Sequence, residues 1–291
     1  MTTAQGAPGG TATLAGRTVA RIGFGAMQLE RADRDAAVTV LRRAVEQGVN
    51  HIDTAQFYGP GTSNTLIRAA LHPYAEDLTL VSKVGAEHRD GGLTLAQRPE
   101  QLRAAVEANL TTLGTDHLAV VNLRRADAPP GLLAEGDQIV PIDDQLAVML
   151  ELREEGKIGA IGLSHVNAAQ LSSALPVGIA CVQNAYSLLD RTSEPVLDLC
   201  REHAIAWVPY FPLGSAFPQI PKVTDHPEVI TTAKSLNATP AQVALSWLLA
   251  SYDQTLLIPG TADPSHLDEN LAAGGVRLTP EQVKALDGIA S

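Results

Sequence analysis

Hydrophobic residues fall along this chain in two rhythms that take turns. Short, mostly apolar runs occupy residues 21–25, 51–55, 78–84, 118–123, 158–164, 181–186, 205–211 and 255–261, with the length and composition of buried strands. Between them, residues 36–47, 64–71, 100–113, 145–155, 168–175, 195–203 and 240–250 repeat apolar positions every three or four residues, as helices with one buried face do. Two helix starts are written out in full. Thr239-Pro240-Ala241-Gln242 and Thr279-Pro280-Glu281-Gln282 each offer a threonine N-cap, proline at the first helical position and glutamine three residues on, a capping box.

Eight strand–helix alternations with no break in composition predict an α/β fold, a single (β/α)8 TIM barrel over residues 11–291. Residues 11–14 and 18–22 flank Ala15-Gly16-Arg17 as a short N-terminal β-hairpin, expected to close the barrel floor. Residues 1–10 are small, polar and glycine-rich, and are expected to form a loose tail. A doubly wound open sheet is the competing architecture. It usually carries a glycine-rich phosphate turn after its first strand, and Gly23-Phe24-Gly25-Ala26-Met27-Gln28 lacks the third glycine.

The polar residues then gain meaning from their places. Asp53, Lys83, Asn122, Ser164, Gln183 and Tyr210 each lie at or near the carboxyl end of a different predicted strand, the rim on which barrel active sites are built. Loops 85–98, 125–142 and 214–225 leave the same rim as candidate substrate walls. His51 and Asp53 share one strand face. A buried carboxylate there requires a cation, which Lys83 at the end of the next strand supplies most economically. Tyr58 follows on the Gly59-Pro60-Gly61 turn. An ammonium beside a phenol favours the phenolate and lowers its pKa, so Asp53, Lys83 and Tyr58 spell either a tuned proton donor or a self-satisfied core network.

Composition narrows the field only at its edges. At 45% hydrophobic and 18% charged residues the chain is an ordinary globular one, and a net charge of −11 argues against nucleic acid and anionic membranes as partners. The first twenty residues lack a signal peptide's apolar core and no stretch approaches 18 apolar residues, so a cytoplasmic location is expected. Cys181 and Cys200 are expected to be buried free thiols.

Taken together, Asp53-Thr54-Ala55-Gln56-Phe57-Tyr58-Gly59, Lys83, Gly162-Leu163-Ser164, Gln183, Pro209-Tyr210-Phe211-Pro212-Leu213-Gly214 and Ile258-Pro259-Gly260-Thr261 with Glu269-Asn270 resemble the aldo-keto reductases. The resemblance runs in order from about Thr11 to Ile289. It implies reduction of an aldehyde or ketone, with Tyr58 protonating the carbonyl oxygen, Lys83 lowering its pKa, Asp53 holding Lys83, and NADPH as cofactor. It implies that Tyr210 stacks on the nicotinamide and that Ser164, His165 and Gln183 hold its carboxamide. Gly25, Met27, Asp53, Phe211, Leu213, Gly214 and Ser215 would line the rest of the cofactor. Gly260, Thr261, His266, Glu269 and Asn270 would meet its adenosine end. Within the family, the segments around Met27, Asp53, Asn122 and Leu213 look most like the bacterial pyridoxal reductase branch. That likeness makes pyridoxal a candidate substrate, with Met27, Phe57, Arg124 and the loop at Pro129-Pro130 to meet it.

Three departures from the family pattern shape the expectations. Asn122 stands where a histidine is usual; it can donate a hydrogen bond but cannot titrate. His165 replaces an asparagine. Gly260 and His266, with Asp263 nearby, replace cations usual around the 2′-phosphate, which leaves NADH use open. Two other readings remain. Asn122 is compatible with a nicotinamide-binding, redox-sensing subunit of slow turnover. His51, Asp53, Lys83 and His165 would be the ligands of a barrel metallohydrolase, although no metal is expected. Arg124 is left between a substrate contact and a rim pair with Asp127. The oligomeric state is not written in this sequence.

Overall fold

The computed structural model describes residues 6–89, 91–129, 131–214 and 221–290. After a hairpin of β1 (Thr11–Leu14) and β2 (Arg17–Ala20), strands β3 (Phe24–Gly25), β4 (His51–Asp53) and β5 (Thr79–Val84) begin a parallel sheet. A second, antiparallel hairpin, β6 (Ala86–Arg89) and β7 (Gly92–Leu95), folds within loop 85–98, where no strand is predicted. The sheet continues through β8 (Leu118–Arg124), β9 (Ile158–Ser164), β10 (Ile179–Gln183) and β11 (Ala206–Trp207), giving seven strands in chain order. Residues 255–257 close the circle as isolated parallel bridges, Thr255 to Trp207 and Leu257 to Ile22. The Leu256 amide donates to Trp207 (2.8 Å) and the Leu257 amide to Arg21 (2.8 Å), so the predicted eighth strand is present as an irregular staple.

Helices α1 (Arg34–Glu46), α2 (Thr62–Leu71), α3 (Pro99–Leu113), α4 (Ile142–Glu154), α5 (Ala168–Ala174), α6 (Glu194–Glu202), α7 (Pro227–Ser235), α8 (Pro240–Ser251), α9 (Pro264–Ala272) and α10 (Pro280–Asp287) surround the sheet. Both predicted capping boxes form, at Thr239 and Thr279. Two of these helices, α7 and α9, lie where no helix is predicted. Each offers a proline start, but α9 buries only Leu267 and Leu271, too short a stripe to read as a period.

Apolar side chains fill two layers. Ile22, Ile52, Val121, Ile161 and Val182 face outward into the main core under the helices. Ala12, Leu14 and Val19 of the hairpin pack with Val81, Val120, Cys181, Val208 and Leu256 inside the barrel, so the hairpin plugs its floor. Part of the expected tail is tied down, since the Pro8 and Gly10 carbonyls accept from the Ile22 and Arg21 amides; residues 1–5 lie outside the described residues. Cys181 and Cys200 are free and buried, and burial pushes the Cys200 thiol up to about 12. Among the described residues, no helix is long and apolar enough to cross a membrane.

Candidate active site

Parallel register decides which side chains meet. Asp53 pairs with Val81, Lys83 with Asn122, Asn122 with Gly162, and Arg124 with Ser164. Lys83, Asn122 and Arg124 therefore occupy the inward face at the carboxyl ends of neighbouring strands. Asp53 is 2% exposed and Lys83 6%, and they form a direct ion pair. The ammonium also donates to the Thr54 carbonyl (3.2 Å), and the second Asp53 oxygen accepts from Gln183 Nε2 at 2.5 Å. A buried pair with both ends hydrogen-bonded meets the condition under which such a pair is tolerable.

Tyr58 is brought to this pair by a stiff turn. Its amide donates to Ala55, and Gly61, with φ +82°, caps α2 in a left-handed conformation that disfavours a side chain. The segment is pinned from behind by a buried polar network: Thr54 to Asn64 (2.8 Å), Asn64 to Gln56 and Asn109 (both 2.9 Å), and Ser82 to Asn109 (2.6 Å). The Lys83 ammonium sits 5.0 Å from the centre of the Tyr58 ring, and Phe57 packs edge-on at 5.3 Å. Burial raises the Tyr58 pKa above its ordinary value, Lys83 pulls it back, and the Asp53 charge adds to the rise. The expected lowering of Tyr58 is thus a real pull outweighed by desolvation, and the phenol stays protonated at neutral pH. Lys83 is itself raised; burial opposes this, but Asp53 and Tyr58 together prevail.

Two donors and an acceptor around this centre are buried with no partner among the described residues: Asn122 Nδ2, Arg124 Nη1 and Gln183 Oε1. The Asn122 oxygen is engaged by the Cys181 thiol at 3.3 Å, which turns the amide nitrogen loose. Gly162 makes room for it, because a Cβ there would overlap Asn122 Oδ1. Arg124 does not pair with Asp127. Arg125 takes that carboxylate with two bonds of 2.8 Å and also donates to Val140.

His165 links two walls of the mouth. Its Nε2 lies 2.7 Å from the Ala128 carbonyl, which can only accept, so Nδ1 carries no proton in the neutral ring and accepts from the Tyr210 hydroxyl at 2.9 Å. Both nitrogens are spent. The metallohydrolase arrangement is not assembled, since His165 serves Tyr210 and Lys83 is paired, and no group of three metal-ligating side chains is found among the described residues.

Beyond Tyr210, Phe211 stands edge-on to it at 5.1 Å, with a left-handed φ of +56°. The Leu213 carbonyl accepts from the Val223 amide, and a Cβ on Gly214 would overlap the Pro221 carbonyl. Ser215 and Pro130 lie outside the described residues. Thr261 is buried, and its hydroxyl accepts from the Asp263 amide (3.0 Å). Asp263 caps α9 by accepting from Ser265 N (2.7 Å) and His266 N (3.4 Å). The Glu269 carboxylate accepts from Thr239 Oγ1 at 2.6 Å, which ties α9 to α8, and Asn270 is half-buried one residue on. Gly25 and Gly260 face each other so closely that a Cβ on Gly260 would overlap the Gly25 carbonyl oxygen. Met27, 44% exposed, stands just past β3.

Sequence reasoning leaves the role of His51 open. Its imidazole is fully buried, packed on Gly23 where a Cβ would overlap the ring, and it borders a cavity of about 10 Å³ shared with Asp53 and Gln183. Burial pushes its pKa down to about 4 against a smaller opposing pull from the Ala20 carbonyl. In the unfolded chain the value is about 6.5, so between pH 6.5 and 4 the unfolded state takes up a proton that the folded state refuses. Stability is complete above pH 6.5 and falls as pH drops to 4, by about 3 kcal/mol from this residue alone. Urea unfolding of wild type and His51→Gln at pH 7 and pH 4 is expected to show that much less pH dependence in the variant. Parallel profiles would mean the imidazole is protonated inside the fold.

A family model described as the aldo/keto reductase family matches residues 21–291. The chain is 44% identical over 289 residues to pyridoxine 4-dehydrogenase of Escherichia coli, covering 96% of this chain and 98% of that protein. It is 33% identical over 296 residues to an uncharacterised oxidoreductase of Schizosaccharomyces pombe, covering 96% of this chain and 89% of the other. The crystal structure of an aldo-keto reductase from Klebsiella pneumoniae in complex with NADPH superposes with a TM-score of 0.80 at 26% identity, covering 96% of this chain and 94% of that one.

Proposed function

The chain belongs to the aldo/keto reductase family, and from that premise we propose that it reduces aldehydes or ketones to alcohols with NADPH, Tyr58 giving the proton, and that pyridoxal is among its substrates. The observation that carries this reading is the convergence of Asp53, Lys83 and Tyr58, with the unspent Asn122 donor beside Lys83 in register. The pyridoxine dehydrogenase relative supports the choice of substrate. Two buried thiols in the described chain suit work in the reducing cytoplasm.

The residues present fit a nicotinamide cofactor. Gln183 Oε1, buried without a partner, is an acceptor suited to a carboxamide N–H, with Ser164 beside it in register. Tyr210, fixed by His165, offers its ring face as a stacking wall; Gly25, Phe211, Leu213 and Gly214 line the backbone path beyond. Thr261 and His266 lie at the start of α9 and Glu269 and Asn270 in its last turn, and these four would meet the adenosine end. When bound, the cofactor supplies the hydride. As charge develops on the carbonyl oxygen, Tyr58 passes its proton to that oxygen and Asn122 Nδ2 donates a hydrogen bond to it. Lys83 stabilises the resulting tyrosinate, and Asp53 keeps Lys83 charged and aimed. Tyr58 is half-buried, so solvent can return the proton.

The first test follows cofactor absorbance with purified protein, NADPH or NADH, and a panel of pyridoxal, an aryl aldehyde, a dicarbonyl and a simple ketone. Protein-dependent oxidation, led by pyridoxal, supports the proposal. Cofactor binding without turnover on any carbonyl would instead favour the slow, sensing subunit that Asn122 allows. Cofactor preference needs a variant. A lysine at Gly260 has no room for its Cβ, so the substitution that adds a cation is His266→Arg on the exposed first turn of α9. The kcat/KM ratio of NADPH to NADH is expected to rise roughly tenfold, as a charge-assisted phosphate contact provides. An unchanged ratio would place recognition of the 2′-phosphate elsewhere.

A further inference from the structure

We propose that Arg124 makes this site selective for carbonyl compounds bearing an anionic oxygen on the carbon next to the one that carries the carbonyl group, such as an ortho-phenolate aldehyde. The proposal rests on the carbonyl-reductase reading and adds the charge of the substrate to it.

Arg124 lies two residues beyond Asn122 on β8, hence on the same inward face and one layer nearer the mouth. Its Nη1 is buried with no hydrogen-bond partner among the described residues, and neither has Asn122 Nδ2. Two carboxylates of the neighbouring strand ends are already taken. Asp127 belongs to Arg125, and Asp53 to Lys83 and Gln183. Burial raises the Tyr58 and Tyr210 phenols, and the Arg124 charge offsets part of both rises, so the guanidinium acts on both rings. The Gly131 backbone packs close to Nη2: a Cβ there would sit 3.2 Å from it, and the φ of +117° disfavours any side chain, so glycine keeps that space free of one.

An unpaired, part-buried guanidinium is costly, and it suits an oxygen anion better than any neutral group. Tyr58 and Asn122 claim one oxygen and Arg124 the next, which matches two oxygens held in one plane on carbons separated by one other carbon. A phenolate beside an aldehyde has that shape, and so does the deprotonated phenol of pyridoxal.

The test compares 2-hydroxybenzaldehyde with its methyl ether, 2-methoxybenzaldehyde, as kcat/KM ratios. Wild type is expected to prefer the phenol by roughly 10- to 100-fold, the range of a desolvated charge-assisted contact. The ratio should fall to about one in Arg124→Leu and recover in part in Arg124→Lys. In wild type alone it should also rise with pH as the substrate phenol ionises, a readout independent of any variant's folding. A wild-type ratio near one at all pH values, or a ratio unchanged in Arg124→Leu, overturns the proposal and leaves the reductase reading intact. Reduction of neither aldehyde, nor of any other carbonyl, overturns both.

Discussion

Tyr58→Phe is expected to lower kcat by roughly 10²- to 10⁴-fold, the contribution of a positioned general acid, while cofactor affinity measured by fluorescence titration stays within about twofold. The substitution removes one oxygen and little packing. Phe57 keeps its edge-on ring partner, the Gly59-Pro60-Gly61 turn is untouched, and the Asp53–Lys83 pair retains the Thr54 carbonyl and Gln183 as partners. What disappears is the proton placed above Lys83. Asn122 can donate a hydrogen bond to the carbonyl oxygen but has no proton to give up. A variant that still turned over near the wild-type rate would mean that solvent or another group protonates the product, and Tyr58 would lose its role. The pH profile sharpens the test. Burial holds the phenol above its ordinary range, so wild-type reduction should persist through neutral pH and decline only on the alkaline side as Tyr58 ionises. The residual activity of the phenylalanine variant should lack that decline.

Much of this arrangement is legible in the sequence because strand-end residues are fixed by topology alone. Once eight strand–helix units are counted, Asp53, Lys83, Asn122, Ser164 and Gln183 must meet at one rim, and parallel register places Lys83 beside Asn122. The less legible parts have local physical causes. Residues 205–211 read as one apolar strand, but Pro209 has no N–H to give the ladder and Phe211 adopts a left-handed φ, so β11 ends at Trp207. The partner of Asp127 is hidden because two arginines stand in tandem, and only the alternation of strand faces reveals that Arg125 meets it. The crowding at Gly260 depends on an approach to Gly25 from the other end of the chain, which no local pattern records. The His165 clasp on Tyr210 is likewise a product of packing, since His165 reaches back 37 positions to Ala128 of loop 125–142 and forward 45 to Tyr210.

The second large effect separates stability from catalysis at the buried ion pair. Lys83→Met is expected to destabilise the fold by about 3–5 kcal/mol at pH 7, because it leaves Asp53 charged, 2% exposed, and with Gln183 as its one remaining side-chain donor among the described residues. Asp53 would then be hard to ionise in the folded state, so its folded pKa would rise above the unfolded value of about 4. A raised folded pKa gives stability that is present below the unfolded pKa and lost as pH climbs. The deficit of Lys83→Met should therefore shrink as pH falls toward 4. Adding Asp53→Asn removes the stranded charge, and the double variant should recover most of the lost stability, since replacing both members of a buried pair is often close to neutral. Turnover should not recover, because the tyrosinate left by proton transfer then has no cation beside it. Denaturant unfolding at two pH values, with kcat on the same samples, checks each part. If the double variant is as unstable as Lys83→Met alone, the loss comes from the packing of the lysine stem, and the ion pair is not what the barrel interior depends on. If it regains stability and activity together, Lys83 holds the site in shape without taking part in the proton transfer.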